Sequence, residues 1–191
     1  MYIDRILAPI ETLGPGKRLV IWTKGCSKHC KGCANPELWG IEGAKNYSVD
    51  DIVKIIRNIY TENAFDGVTI SGGDPLEQID ELLEILVNIQ DITNDVIVYT
   101  GYYYDELVSL FEQEKIEKLR LLVAVLIDGP YIDELNYDDL GLRGSGNQNL
   151  IFFNEDVRDK YEGYLSQGRK IQNVYMGNRL ISVGIHNKKG E

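Results

Sequence analysis

The sequence predicts an α/β fold: a partial (β/α) barrel of about five or six mainly parallel strands, followed by a C-terminal β-hairpin appendage. Three observations lead there. Aliphatic runs such as RLLVAVLIDG are apolar on both faces, as strands covered on both sides must be. Segments with Ile, Leu or Val at helical spacing alternate with these runs, and strand-helix alternation gives parallel strands joined by helical crossovers. At 191 residues the chain is long enough for one sizeable core and too short for eight β/α units, so the barrel is expected to stay open.

The elements follow in chain order. Residues 17–25, KRLVIWTKG, read as a buried strand, preceded by an LGPGK turn and by a strand around IDRILAPI (3–10) that pairs with it. Ser48 is the expected N-cap of a helix over 48–60, with acids in its first turn and Ile or Val at helical spacing. Residues 66–75, DGVTISGGDP, form a strand ended by a glycine turn, and LEQIDELLEILVNI (76–89) an amphipathic helix. The pattern continues with a strand at 95–102, a helix at 104–114, a strand at 120–131 and a further strand, LIFF, at 150–153. KIQNVYMGNRLISVGI (170–185) reads as a hairpin turning at Gly177 and Asn178. The chain is expected to form one domain over 1–191, with a core at about 14–153 and an extension at about 154–191. Ligands of parallel sheets bind at the carboxyl ends of the strands. At those ends lie a cysteine loop, SGGDP, YTGY and DGPY, so all four are expected to face one mouth.

Composition excludes several classes. Hydrophobic residues at 43% and charged ones at 26% are ordinary globular values, and no apolar run approaches the roughly 20 residues of a membrane span. The amino terminus, MYIDRILAPI, lacks the layout of a signal peptide, so a cytoplasmic location without a membrane partner is expected. A net charge of -10 disfavours binding to nucleic acid over a broad surface. Lys17, Arg18, Lys24, Lys28 and Lys31 nevertheless crowd the cysteine region, either as solvated surface or as a docking patch for an acidic partner.

All three cysteines lie in GCSKHCKGC, residues 25–33. An odd number cannot be satisfied by disulfides alone. Structural zinc would need a fourth ligand, and the histidines on offer are His29, adjoining Cys30, and His186, in the tail. A nucleophilic cysteine would need a positioned histidine, and neither lies in a recognisable catalytic setting. Iron–sulfur clusters that only pass electrons are held by four thiolates, whereas three leave one iron open to an exogenous ligand. The CxxxCxxC spacing therefore suggests a cluster that does chemistry, with a zinc site or a non-catalytic iron–sulfur protein as the alternatives.

The spacing of Cys26, Cys30 and Cys33 closely resembles the signature of the radical S-adenosylmethionine enzymes. In register after it, Ser71, Gly72, Gly73, Asp74 and Pro75 resemble the GGE motif that holds the methionyl amino group of that cofactor. GPGKRLVIWTKGCSKHCKGCANPELW, TISGGDPLEQ, YTGYYYDEL, LIDGPY and LRGSGNQ resemble successive blocks of the anaerobic ribonucleotide reductase activating protein family, a branch of the glycyl-radical activases. Gly32 stands where most radical S-adenosylmethionine proteins have an aromatic residue, as it does in the activase branch. The tail over 170–185 goes beyond the shortest activases.

This resemblance implies a [4Fe-4S] cluster on Cys26, Cys30 and Cys33, with S-adenosylmethionine bound at the open iron through its amino and carboxylate groups. An electron from a flavodoxin or ferredoxin would cleave it to methionine and a 5′-deoxyadenosyl radical, which takes a hydrogen from a backbone glycine of a large partner enzyme. Cofactor contacts would fall to Gly32, Ala34, Ser71, Gly72, Gly73, Asp74, Thr100 and Arg143. Plain readings stand beside these: a tight turn for Gly72 and Gly73, a helix cap for Asp74, turn duty for Thr100 and Gly101, and a surface arginine for Arg143. Trp22, Trp39 and Tyr102 to Tyr104 are expected to pack and not to relay radicals. A stand-alone radical S-adenosylmethionine enzyme acting on a peptide or small molecule is the second reading. GPGK lacks the earlier glycine and the following Ser or Thr of a phosphate loop, and GLRGSGN does not follow the dinucleotide fingerprint.

Overall fold

The computed structural model describes residues 1–187. The chain opens with β1 (Tyr2–Ile10), β2 (Arg18–Thr23) and the short β3 (Lys45–Asn46). Helix α1 (Val49–Glu62) starts where Ser48 accepts a hydrogen bond from the Asp51 amide at 3.1 Å, the expected N-cap. Then come β4 (Gly67–Gly72), α2 (Ile79–Val87), β5 (Val96–Tyr99), α3 (Tyr104–Leu110), α4 (Gln113–Leu122), β6 (Val125–Asp128), β7 (Asn149–Phe152) and α5 (Arg158–Leu165). The hairpin β8 (Ile171–Met176) and β9 (Arg179–Gly184) ends the described chain and turns at Gly177, as expected.

The main sheet has seven strands, where periodicity predicts five or six, in the order β3-β1-β2-β4-β5-β6-β7. Its centre is parallel: β2, β4, β5 and β6 run side by side in one direction. The edges are antiparallel, with β1 against β2 and β3 on one side and β7 against β6 on the other. The LIFF strand does extend the sheet, but by reversal. The ladder runs from edge to edge without closing.

Three elements differ from the expectation. The helix expected over 104–114 is two helices, and the strand expected from residue 120 begins at Val125. Residues 120–122 close α4 instead, because Leu119 and Leu122 fall on its buried face while Leu121, 81% exposed, points to solvent. An aliphatic triplet alone does not distinguish these cases. Helix α5 has no counterpart in the expected elements, since its buried face consists of Tyr161 and Tyr164 in an otherwise polar segment.

Apolar residues cover both faces of the sheet, as its aliphatic strands require. Ile52 and Ile56 of α1, Leu82 and Leu86 of α2, and Ile116 and Leu119 of α4 pack with Leu19, Ile21, Val68 and Val98. On the other face Tyr161 and Tyr164 meet Ile97, Val125 and Ile127. Beside them, Val183 of the hairpin joins Ile10, Leu13, Val20, Trp22 and Leu38.

Arg18 corrects the view of a basic cluster around the cysteines. It is fully buried at the start of β2, the end remote from the cysteine loop. Its guanidinium donates to Thr69 Oγ1 (2.6 Å), the Val68 carbonyl (2.7 Å) and the Asp95 carbonyl (2.9 Å), and pairs with the Asp95 carboxylate at 3.3 Å. Asp95 also accepts from Lys160 and from the Tyr161 hydroxyl, each at 2.5 Å. Burial would raise the Asp95 pKa, but Arg18, Lys160 and Tyr161 together override it and hold the carboxyl below its usual value. Asp95→Ala, which strands a buried guanidinium, should cost about 3–5 kcal/mol in urea unfolding at pH 7. Because the folded pKa is depressed, the wild-type contribution is present above pH ~4 and should disappear as pH falls through the folded value; a loss of the same size at pH 2 would contradict this.

Candidate iron–sulfur and cofactor centre

The cysteine loop leaves β2 at Thr23 and folds back on the turn Pro36–Leu38. The Gly25 amide donates to the Leu38 carbonyl (2.9 Å) and the Cys26 amide to that of Trp39 (3.0 Å). The Cys33 amide bonds the Cys30 carbonyl at 3.1 Å, and Gly32 takes a φ of +76°, open to glycine. His29 stacks on Trp39 with ring centroids 4.7 Å apart, so its ring packs against the loop's own base.

The loops at the strand ends touch in succession. The Gly73 amide donates to the Thr23 carbonyl (2.8 Å) and the Asp74 amide to the Gly25 carbonyl (2.7 Å), joining SGGDP to the cysteine loop. A Cβ on Gly72 would collide with Thr23 backbone, and one on Gly73 with the Gly25 carbonyl. These glycines are therefore required first by the neighbouring chain, whatever else approaches them.

Asp74 binds the next loop. Its carboxylate, 1% exposed, accepts from the Leu76 amide (3.0 Å), the Thr100 hydroxyl (3.0 Å) and the Gly101 amide (2.9 Å). It both caps the turn Pro75–Gln78 and staples β4 to β5. The Thr100 hydroxyl is engaged by Asp74 and by the Tyr102 amide, which fixes it inside the staple. Burial pushes the Asp74 carboxyl up to about 6, with Glu77 adding to the rise and the three donors opposing it.

Beyond β5, the Gly129 amide donates to the Tyr102 carbonyl (2.9 Å) and the Tyr104 amide to the Asp128 carboxylate (2.9 Å), which brings in DGPY. LRGSGNQ closes over it: Gln148 Nε2 reaches the Gly129 carbonyl (3.0 Å) and Asn147 Nδ2 that of Pro130 (2.8 Å). The Tyr131 ring lies beside both Gly32 and Gly144, so the first and last loops of the rim meet across it. The single mouth expected from the sequence thus forms. Ser71 is half-buried in β4, paired with Trp22, and Ala34 is exposed.

Sequence reasoning missed the residues that hook the cysteine loop in place. Glu77 accepts from the Ser27 amide at 2.5 Å, and Gln78 donates to the Lys24 carbonyl at 3.0 Å while accepting from the Tyr2 amide at 2.6 Å. Lys28 lies 3.6 Å from the Tyr102 ring centroid and 3.9 Å from Glu106, and Lys31 is 3.7 Å from Glu134. The local basic charge therefore faces acids and aromatics of the same rim. Only the position of Glu77 and Gln78 directly after Leu76, one residue beyond SGGDP, could have drawn attention to them.

The donor set fits a cluster. Cys26, Cys30 and Cys33 are free thiols, each half-buried. Among the described residues no three His, Cys, Asp or Glu side chains converge on one metal ion. The thiolates of a cluster bind different irons and so stand wider apart than the ligands of one ion. Burial, with the nearby Asp74 and Glu77 charges, pushes the Cys26 thiol up to about 11, against donation from the Lys28 and His29 amides. A thiolate there requires a cation in place of its proton. Three buried donors, Arg5 Nε on β1, Trp39 Nε1 and Arg143 Nε, lack acceptors among the described residues, while Arg143 Nη1 donates to the Gln148 carbonyl at 3.4 Å.

A model of the 4Fe-4S single cluster domain matches residues 12–151, which sets the class: an iron–sulfur domain carried on an open α/β sheet. The anaerobic ribonucleoside-triphosphate reductase-activating protein of Escherichia coli K12 is 31% identical over 146 residues, covering 73% of this chain and 92% of the relative. That of bacteriophage T4 is 30% identical over 155 residues, covering 78% and 93%. The pyruvate formate-lyase-activating enzyme of Staphylococcus aureus is 28% identical over 160 residues, covering 80% of this chain and 63% of that enzyme. The chain belongs to the radical S-adenosylmethionine activases of glycyl-radical enzymes. Its cofactors are a [4Fe-4S] cluster and S-adenosylmethionine.

Two outcomes follow from this geometry. Gly73→Ala should destabilise the chain by about 1–3 kcal/mol and lower the iron bound per chain after anaerobic reconstitution, because the cysteine loop must retreat; full iron loading at wild-type stability would contradict the packing role. The raised Asp74 pKa means the folded state holds that proton more tightly than the unfolded one. Apo-protein stability should accordingly lose an increment as pH rises from about 4 to about 6. In pH-resolved unfolding, Asp74→Asn should lack that increment.

Proposed function

We propose that this chain generates a glycyl radical on a partner enzyme, an anaerobic ribonucleotide reductase, by reductive cleavage of S-adenosylmethionine at a [4Fe-4S] cluster held by Cys26, Cys30 and Cys33. The observation that carries this is the direct seating of the SGGDP backbone on the cysteine loop, through Gly73 on Thr23 and Asp74 on Gly25. Held by Cys26, Cys30 and Cys33, the cluster would supply the one-electron reduction of the sulfonium from which radical chemistry on the partner's glycine would start. Everything else required of the protein is placement.

Gly32, Ala34, Ser71, Gly72 and Gly73 present backbone to the cofactor from adjoining loops. Asp74 and Thr100 act together: the hydroxyl and two amides orient a buried carboxylate whose charge attracts the cofactor's ammonium. Arg143, whose Nη1 rests on the Gln148 carbonyl while its buried Nε has no acceptor among the described residues, suits a carboxylate. Trp39, Tyr131 and the apolar floor of the sheet limit water at the mouth. On this reading the sheet serves as a partial barrel whose open side would admit the partner's glycine loop, and residues 1–191 work as one unit in the cytoplasm. A flavodoxin or ferredoxin delivers the electron.

The reconstituted protein should cleave S-adenosylmethionine under dithionite, and Cys30→Ala should abolish cleavage. Added to a purified anaerobic reductase, the wild type should produce a glycyl radical visible by electron paramagnetic resonance. Cleavage without a radical on the reductase would instead favour action on a peptide or small molecule. Cleavage by a reconstituted Cys30→Ala chain would overturn the ligand assignment.

A further inference from the structure

The C-terminal hairpin lies outside residues 12–151, yet its root reaches the rim of the mouth through one side chain. Arg169 lies two residues before β8. Its Nε donates to the Leu140 carbonyl at 3.1 Å, and Nη2 to the carbonyls of Arg143 (3.1 Å) and Gly144 (3.2 Å). Nη1 donates to Asn136 Oδ1 (2.7 Å) and to the His186 carbonyl (2.9 Å), with Asn187 Oδ1 at 3.5 Å. One guanidinium thus fastens three segments: the stretch after DGPY, the loop 140–144 and the far end of the hairpin.

What it fastens is irregular backbone, which it shares with Tyr99 and Gln148. Leu142 adopts a φ of +60°, costly for a leucine, and its side chain is buried among Ile97, Tyr161 and Tyr164. Its carbonyl accepts from the Tyr99 hydroxyl at 2.8 Å. Below it, Gln148 Oε1 gathers the Gly144 and Ser145 amides. The carbonyls of residues 140, 142, 143 and 144 are therefore all captured by side chains. Such capture fixes a loop in one conformation, and the residue presented by this loop is Arg143, half-buried, with Nη1 held at 3.4 Å from the Gln148 carbonyl and Nε left without an acceptor among the described residues.

We infer that Arg169 is a positioning residue: by clamping the carbonyls of loop 140–144 to the root and end of the hairpin, it presets Arg143 to receive the carboxylate of the cofactor, so that the C-terminal extension completes the cofactor site. This rests on the proposed function, in which S-adenosylmethionine binds at the mouth. Lysine cannot replace the clamp, since a single ammonium lacks the planar fork that reaches three segments at once.

The test is equilibrium binding of S-adenosylmethionine to the reconstituted full-length protein, with iron content and thermal melting measured on each variant. Arg169→Gln and Arg169→Lys should each weaken binding by about tenfold, the scale of losing hydrogen bonds to a charged group, while iron content stays at the wild-type level. Asn136→Ala, which removes one acceptor of the clamp, should weaken it by a smaller factor and serves should Arg169 variants fail to fold. In the Arg143→Ala background, Arg169→Gln should cost almost nothing further, because the clamp acts through Arg143. Unchanged affinity in folded Arg169 variants, or full additivity with Arg143→Ala, would overturn the inference while leaving the proposed function standing. Failure of the wild type to bind S-adenosylmethionine would defeat the proposed function itself.

Discussion

No side chain fits between the end of β4 and the start of the cysteine loop. Gly72 and Gly73 lie against the backbone of Thr23 and Gly25 so closely that a Cβ at either glycine would overlap it, and two amide-to-carbonyl bonds seal the contact. The rest of the mouth depends on this approach. It sets where Asp74 sits, and Asp74 in turn sets Thr100 and Gly101. It also brings Glu77 and Gln78 within reach of the Ser27 amide and the Lys24 carbonyl, so the thiol-bearing segment is held along its first half by its neighbour in the sheet. A short loop without regular structure gains a fixed shape from the strand beside it.

The two ends of the parallel strands are treated differently. At the amino end, Arg18 and Asp95 form a fully hydrogen-bonded buried pair, joined by Lys160 and Tyr161 of α5. At the carboxyl end, Trp39 Nε1 and Arg143 Nε lack acceptors among the described residues, as does Arg5 Nε on β1, and burial raises the Cys26 thiol and the Asp74 carboxyl as it raises Tyr161 at the amino end. A satisfied end stabilises; an incompletely satisfied end is arranged for a guest. This asymmetry agrees with the general placement of function at the carboxyl ends of parallel strands.

The extension after residue 153 is tied to both ends. Tyr161 and Lys160 complete the Arg18–Asp95 node, while Gln172 bonds the Glu11 amide and the Pro9 carbonyl at the outer strand β1. Arg169 then crosses to the rim. The hairpin predicted as an appendage is one in topology, since it forms its own two-stranded sheet, but its hydrogen bonds are long-range and reach the core.

The cysteine spacing, the SGGDP turn, the N-cap at Ser48 and the alternation of aliphatic runs with amphipathic segments are local patterns, and the sequence by itself determined them. A run of residues carries its own periodicity, and a turn its own glycines. The late start of β6 was decided by which leucines of α4 were buried, a matter of packing that an aliphatic triplet does not encode, and the split of the 104–122 region and the reversal of β7 appear only in the folded chain. The burial of Arg18, the staple made by Asp74 and the clamp made by Arg169 join residues dozens of positions apart. Only the tertiary structure brings such donors and acceptors within hydrogen-bonding distance, because the energy of a hydrogen bond depends on distance in space and leaves no trace in the spacing along the chain.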